Sequence, residues 1–549
     1  MTKKRKVSNQ SPASVGNAIA EDAQPSLRSG TKLTLKAGEA VALTGPASVQ
    51  VEMGTAWLAG KVLVAGASLS VDSDAKYGGP LHIEALPDQQ QVPLATTGMV
   101  KLTLAGRHGN AAAEKEPEGL SYKMQMLSSA QMAPRRYSQP WLQAAEDVVR
   151  AVRQGGCPAV AVVGSKGVGK STLSRLLVNS LLEATPVVAY LDTDCGQSEI
   201  TVPGLVSLTL LEKPVFGPPH LHMQQPTRSH FIGDLSPQGN PLHYLASVRS
   251  LCDWYWNHCG RKQQGSTVKP PLVVNTHGWI KGLGFEVLAQ VLESLSPSHV
   301  MQLTTPNPNN NLPPDRWWLP EGLPPQQGDP LLYQLPSVGA LQQDMGVDPS
   351  GAAFGWALRQ PPSEQRALQW LAFARQCMGQ PCSPCSWDLP AFAAAADALA
   401  AHPPYKVPLS HFQVVFHHAR IADGQVLQAL NGAVVALTKP AEKPEAGGEG
   451  VDQAAVASAP SVCLGIGIVR SVDPAKQLLY ILTPIAPLHE LQQATRLEVG
   501  NLDLPLALLQ TANFMCPYIS VWSITADGTG AGAMKARNTL LRHRLKPSG

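Results

Sequence analysis

At 549 residues the chain is too long for a single hydrophobic core, and its length predicts several domains. With 44% apolar and 15% charged residues and a net charge of only +3, it is neither an unfolded polyelectrolyte nor a protein that holds nucleic acid through bulk charge. The sequence has no run of about 18 apolar residues, so no membrane span is expected, and no apolar stretch of the secretory type opens the chain. Nine scattered cysteines fit reduced thiols in an intracellular protein. Cys382 and Cys385 form a lone C-x-x-C between prolines, with no second pair at zinc spacing, and read as loop cysteines.

Residues 1–28 are polar and read as a disordered tail carrying the basic cluster Lys3-Lys4-Arg5-Lys6, a pattern of nuclear-import type. From 29 to 105 short apolar alternations recur: Leu33-x-Leu35, Val41-x-Leu43, Val49-x-Val51, Val62-x-Val64 and Leu69-x-Val71. Glycines and prolines separate them, which predicts an N-terminal all-β domain of sandwich type. Residues 106–135 are charged and Ala/Gly-rich and read as a connector.

Residues 136–404 form the expected central domain. A helix opening at Ser138 leads into the apolar run Ala159–Val163, and then Gly164-Ser165-Lys166-Gly167-Val168-Gly169-Lys170-Ser171-Thr172 completes a G-x-x-x-x-G-K-[ST] pattern. Leu173, Leu176, Leu177 and Leu181 follow at helical spacing. Strand, glycine turn and helix together are the phosphate-binding loop: backbone N–H groups wrap the phosphates at a helix N-terminus. Lys170 reaches the β/γ-phosphates and Ser171 ligates Mg²⁺. Further buried strands are expected at 186–191, 271–275 and 299–303, with helices at 241–256 and 284–295. The alternation predicts an α/β fold, a doubly wound parallel sheet. The Pro/Asn/Gln-rich stretch 307–327 is expected to be a mobile insertion.

The second strand ends in Asp192-Thr193-Asp194-Cys195-Gly196-Gln197, which sets two carboxylates at the sheet edge where such folds hold ligands. Residues 405–549 return to strand texture, with strands expected at 412–416, 434–436, 465–472 and 478–482. This C-terminal β-rich domain carries a low-complexity loop at 439–460 and a basic end with Lys535, Arg537, Arg542, Arg544 and Lys546. An N-K-x-D base-recognition element, which a GTPase would need, is missing after the third strand; Asn275-Thr276-His277-Gly278 stands there.

Four segments in order carry a resemblance: Asp192–Gln197 (D-x-D-x-G-Q), Phe231-Ile232-Gly233-Asp234-Leu235-Ser236-Pro237, Thr276-His277-Gly278-Trp279 (T-x-G-W) and Leu497–Pro505. The chain resembles the RNA (polynucleotide) 5′-hydroxyl kinase family, and is most similar to its nucleolar, pre-ribosomal-RNA-processing branch. The likeness runs from about Gly30 to the end. It implies ATP and Mg²⁺ as cofactors and RNA with a 5′-hydroxyl end as acceptor. It also implies a pre-rRNA endonuclease as partner and a place in the nucleus, in the nucleolus.

By residue, the resemblance assigns Asp194 as general base with Asp192 beside the metal, the reverse assignment staying open. Gln197, Thr276 and Trp279 contact the acceptor RNA. A lid helix should bring an R-x-x-x-R pair to the phosphates. Here Arg366, on a helix over 363–373, matches the second arginine while Pro362 stands at the first, leaving Arg359 or Arg375 as substitutes. Lys166 lies near phosphate as an ordinary loop lysine. The alternatives are a nucleotide-bound scaffold of an RNA-processing complex, suggested by the imperfect lid, and an ATPase that assembles partners.

Overall fold

The computed structural model describes residues 31–36, 39–44, 47–71, 81–85, 99–106, 123–127, 137–259, 261–263, 266–319, 329–337, 361–380, 389–418, 421–441, 459–485 and 488–508. The basic tail, Cys382 and Cys385, Arg359, most of the 439–460 loop and the basic C-terminal end lie outside them.

The centre is a seven-stranded sheet. Its order is 228–231, 205–211, 188–192, 272–275, 159–163, 299–304, 331–336. The phosphate-loop strand Ala159–Val163 is wholly buried and pairs in parallel with a strand on each side. Alternate residues of that strand feed two different cores. Ala159, Ala161 and Val163 face helices Pro241–His258 and Leu283–Leu295, whereas Val160 and Val162 face Gln139–Arg153 and Lys170–Leu181. Burial on both faces is why the strand is continuously apolar.

The sheet is mixed rather than wholly parallel, which corrects the sequence expectation. Leu205–Leu211 runs antiparallel to the Asp192 strand, and Arg228–Phe231 antiparallel to it in turn. No α-helix separates these strands, and without a crossover helix the chain returns antiparallel.

The stretch 307–319, expected to be mobile, is instead tied to the core. Leu312 and Trp318 are buried in it, and Gln302 donates to the carbonyls of Leu312 and Pro313 while accepting from Trp317 Nε1. The apolar anchors outweigh a loop-like composition.

At the N-terminal side, a four-stranded and a five-stranded sheet share one apolar core that includes Leu35, Val41, Val49, Leu58, Ile83 and Leu102. The segment read as a connector contributes a strand, Lys123–Leu127, paired with Ala40–Thr44. The hairpin turn at Ala59-Gly60 seats on the phosphate-loop helix. Asn179 Nδ2 donates to Ala59 O at 2.9 Å, and a Cβ on Gly60 (φ 98°) would lie 2.9 Å from Leu176 O.

At the C-terminal side lies a six-stranded sheet, ordered 405–408, 478–482, 462–473, 434–439, 496–499, 413–416. One face packs on helices Pro362–Cys377 and Leu389–Ala401 and on the antiparallel edge of the central sheet. Ser229 Oγ donates to Cys463 O at 3.1 Å across that seam.

Candidate active site

Glycine backbones shape the loop. Gly164, Gly167 and Gly169 have φ of 145°, 78° and 110°, a region that side chains disfavour. Gly169 caps helix Lys170–Leu181 without any side-chain cap, leaving its first N–H groups to a ligand. Lys170 is 7% exposed and curls over the loop, its Nζ donating to Gly164 O at 3.1 Å and Ser165 O at 3.0 Å. Burial pulls its ammonium down to about 8, against the opposing charge of Asp194. Val168 is buried in the helix-side core, so only its backbone can serve phosphate.

One cavity of about 860 Å³ opens over this loop. It brings together Lys166, Lys170, Ser171, Asp194, Gln197, Trp279 and Arg366 from four separate stretches of chain. Asp194 sits in an Asx turn whose Oδ1 accepts from the N–H groups of Gly196 and Gln197, each at 3.1 Å. Asp192 differs. It is 0% exposed and does not line the cavity; Oδ2 accepts from Glu199 N at 2.6 Å, Oδ1 from Asp194 N and Asn275 Nδ2, both at 3.2 Å. Burial pushes its carboxyl up to about 8, with the Asp194 charge adding to the effect.

The walls are built by close approaches that only glycine permits. A Cβ on Gly196 would lie 2.3 Å from Leu235 O, which locks the acidic motif against the G-D-L-S-P segment. Gly233 and Gly500 meet in the same way, and Asn501 N donates to Gly233 O at 2.6 Å, so the C-terminal Leu497–Pro505 segment buttresses that wall. A Cβ on Gly284 would strike the Trp279 indole at 2.4 Å. Trp279 is half-buried beside the loop, its N–H donating to His277 Nδ1 at 3.3 Å. Burial, with help from Lys170, drives His277 down to about 3, so its ring is neutral.

Two sequence expectations fail here. Thr276 does not reach the cavity: it is fully buried and donates to Val162 O at 2.7 Å. Nor can Arg375 complete the lid. It lies on the same helix, Pro362–Cys377, nine positions from Arg366, which is half a turn around the axis. Its side chain is buried outside the cavity, close enough to His220 for its charge to depress that ring. Arg366 does reach the cavity; partial burial lowers its guanidinium, and Asp194 acts in the opposite sense. Pro362, four positions before Arg366 where the expected R-x-x-x-R pair would place its first arginine, lines the cavity.

Sequence reasoning missed several residues. Gln365 Oε1 accepts from Gln197 Nε2 at 3.0 Å, and buried Gln369 donates to Ser198 O at 2.7 Å and Thr201 O at 2.9 Å, stapling the lid helix to the acidic motif. Tyr244 OH donates to Thr193 O at 2.8 Å, holding the turn between the two aspartates. Arg175, one helical turn past Ser171, lines the cavity and pairs with buried Glu199 at 3.4 Å. Burial favours the neutral form of Glu199, but Arg175 and His222 hold its carboxyl below the usual range. Asn275, which closes the buried strand Leu272–Asn275, was given no role either, and a polar residue at the end of an apolar strand was the available signal for it.

The donor set suits a hard cation. Ser171 Oγ, the Asp192 carboxyl and the Asn275 amide converge, and Asn275 Oδ1 is buried with no partner among the described residues. Among the described residues no group of three His, Cys, Asp or Glu forms a self-contained metal cage. Magnesium would therefore be held by Ser171, with Asp192 behind it, together with a triphosphate.

Residues 164–316 match the family model for the mRNA cleavage and polyadenylation factor CLP1 P-loop, and residues 400–505 match the NOL9-like C-terminal domain. The Arabidopsis thaliana polynucleotide 5′-hydroxyl-kinase NOL9 is 33% identical over 366 residues, covering 66% of this chain and 90% of that protein. The chain belongs to the polynucleotide 5′-hydroxyl-kinase family. The Homo sapiens and Danio rerio relatives of the same name are each 30% identical, and the chain spans about half the length of each, 50% in both cases. A solved Clp1p–Pcf11p complex superposes with a TM-score of 0.53 at 16% identity, over 88% of this chain and 99% of that one, a likeness of fold.

Proposed function

We propose that the protein transfers the γ-phosphate of ATP to the 5′-hydroxyl of RNA. The carrying observation is the convergence of Lys170, Asp194, Arg366 and Trp279 on one cavity over the phosphate loop. Asp194 takes the proton of the attacking 5′-hydroxyl, because it lines the cavity and its Oδ2 accepts no hydrogen bond among the described residues, whereas Asp192 is sealed behind it. Lys170 and Arg366 flank the reacting phosphate from loop and lid and offset charge on it as the bond to the β-phosphate breaks. Trp279 offers a face for the first base, and Gln197 a carboxamide beside the acceptor. Ser171, with Asp192 behind it, would hold a magnesium ion, and that ion would supply charge neutralisation at the phosphates.

The nucleolar branch is the reading for cellular role: pre-ribosomal RNA processing in the nucleolus, beside an endonuclease that leaves 5′-hydroxyl ends. It is supported by the likeness to proteins named NOL9 and by the basic cluster Lys3–Lys6. The second reading, a nucleotide-bound scaffold, is favoured by one observation, Pro362 in place of a lid arginine.

The test is transfer of labelled γ-phosphate to 5′-hydroxyl RNA by the wild type, Lys170→Ala and Asp194→Asn. Transfer by the wild type alone supports the kinase. ATP bound tightly with no transfer by the wild type supports the scaffold.

A further inference from the structure

Asn275 has so far been named only within the donor set; it lies beneath the cavity rather than on its lining, as Asp192 does, but it touches Ser171, which does line it. Strand Leu272–Asn275 lies between the phosphate-loop strand and the Asp192 strand, and its register sets Asn275 opposite both Val162 and Asp192. The side chain is fully buried. Its Nδ2 donates to Asp192 Oδ1 at 3.2 Å and reaches Ser171 Oγ at 3.5 Å. The nitrogen end is thus spent on two oxygens, and the other end of the amide, Oδ1, is buried without a donor among the described residues. A buried acceptor left unfilled is costly, and a native protein retains one where a ligand or water fills it.

The polar atoms at this junction include three oxygens from three chain segments: a hydroxyl, a carboxylate and an amide carbonyl. Magnesium sheds its water reluctantly, so it arrives at a protein still carrying several water molecules. Each such water needs acceptors for its polarised hydrogens. Asp192 already accepts three hydrogen bonds from the protein; Asn275 Oδ1 accepts none.

We propose that Asn275 is a positioning residue of the metal site, its Nδ2 tying Ser171 to Asp192 and its Oδ1 accepting from a water of the magnesium ion that enters with the triphosphate. This rests on the reading of the site as a nucleoside-triphosphate site and adds to it the residue that makes nucleotide binding depend on the cation. Its neighbour Thr276, the residue the T-x-G-W pattern points to, is turned inward to Val162 O, so Asn275 is the strand-end side chain left to serve the site.

Equilibrium binding of ATP in Mg²⁺ and in EDTA separates this role from a structural one. In Asn275→Ala the affinity in EDTA stays within about twofold of wild type, while the gain brought by Mg²⁺ shrinks about tenfold, the size of one hydrogen bond to a charged shell. Asn275→Ser is the second variant and behaves alike. Mn²⁺ relaxation of solvent water provides a second readout that follows the cation rather than the nucleotide, and both variants weaken the signal of the ternary Mn²⁺–ATP complex. An unchanged Mg²⁺ gain overturns the proposal. So does an equal loss in EDTA and in Mg²⁺ in both variants, which marks a purely structural residue. Because the readout is binding, it stands whether or not phosphate moves to RNA. A wild type that binds no nucleotide in either condition overturns the triphosphate reading and this inference with it.

Discussion

On the floor of the cavity, geometry is set by backbone: three glycines at positive φ, a strand paired on both sides, and Lys170 bonded to carbonyls five and six residues behind it. In the lid, geometry is set by side chains reaching far along the chain. Gln365 accepts from Gln197, 168 residues away, and Gln369 donates to Ser198 O, 171 residues away. The floor is a local object that can be rebuilt from nine residues; the lid exists only because the fold brings two distant helical glutamines to the acidic motif. A change in the floor should therefore remove binding and chemistry together. A change in the lid should spare binding and remove chemistry.

The sharpest way to break that contrast is Arg366→Ala. As the lid arginine that reaches the cavity among the described residues, it is expected to cost about 10³-fold or more in the transfer step with ATP affinity nearly unchanged, measured by single-turnover transfer beside equilibrium binding. Asp194→Asn follows, with a loss of about 10²–10⁴-fold in kcat, as for removal of a general base. If Asp192→Asn proves the more damaging in kcat, the two roles are reversed. Gln369→Ala, which removes two buried hydrogen bonds without touching the cavity's charges, should lower kcat about tenfold while leaving the KM for ATP in place. Trp279→Ala should weaken RNA affinity by about 1–3 kcal/mol with little dependence on sequence.

The smallest effect is on stability. The folded Asp192 carboxyl is raised to about 8 from an ordinary value of 3.8. The folded state therefore holds the proton more tightly than the unfolded chain, and Asp192's contribution is fully present below about pH 4 and lost as the pH climbs towards 8. Asp192→Asn lacks that titration. Its melting temperature should gain on wild type as the pH rises from 5 to 8, without nucleotide; a gap independent of pH would refute the buried-acid account.

Much of the floor was legible because its signals are short-range. An apolar run, a glycine pattern and helical spacing fixed strand 159–163 and helix 170–181, and Asp192 appeared at the end of the next strand. Motif spacing did not tell which side of the chain a residue faces. In T-x-G-W the pattern pointed to Thr276, but alternation at the strand end turns it inward and leaves Asn275 beside Ser171. Arg375 failed for a similar reason, since proximity in sequence says nothing until 100° per residue is counted around the helix. The edge strands 205–211 and 228–231 were missed because their burial comes from distant segments: Val206 and Leu208 pack in the core that holds helix Pro241–His258, and Leu205 and Phe231 in the one shared with the C-terminal sheet, contacts that no local window contains. Leu312 and Trp318 were hidden by the Pro/Asn composition around them.

The most direct test is single-turnover transfer from prebound, γ-labelled ATP to a 5′-hydroxyl RNA, with wild type and Arg366→Ala side by side. The account predicts labelled RNA from the wild type, and a variant that holds ATP equally well but transfers about 10³-fold more slowly. Wild type that binds ATP and labels no RNA, or a variant that transfers at the wild-type rate, would contradict it.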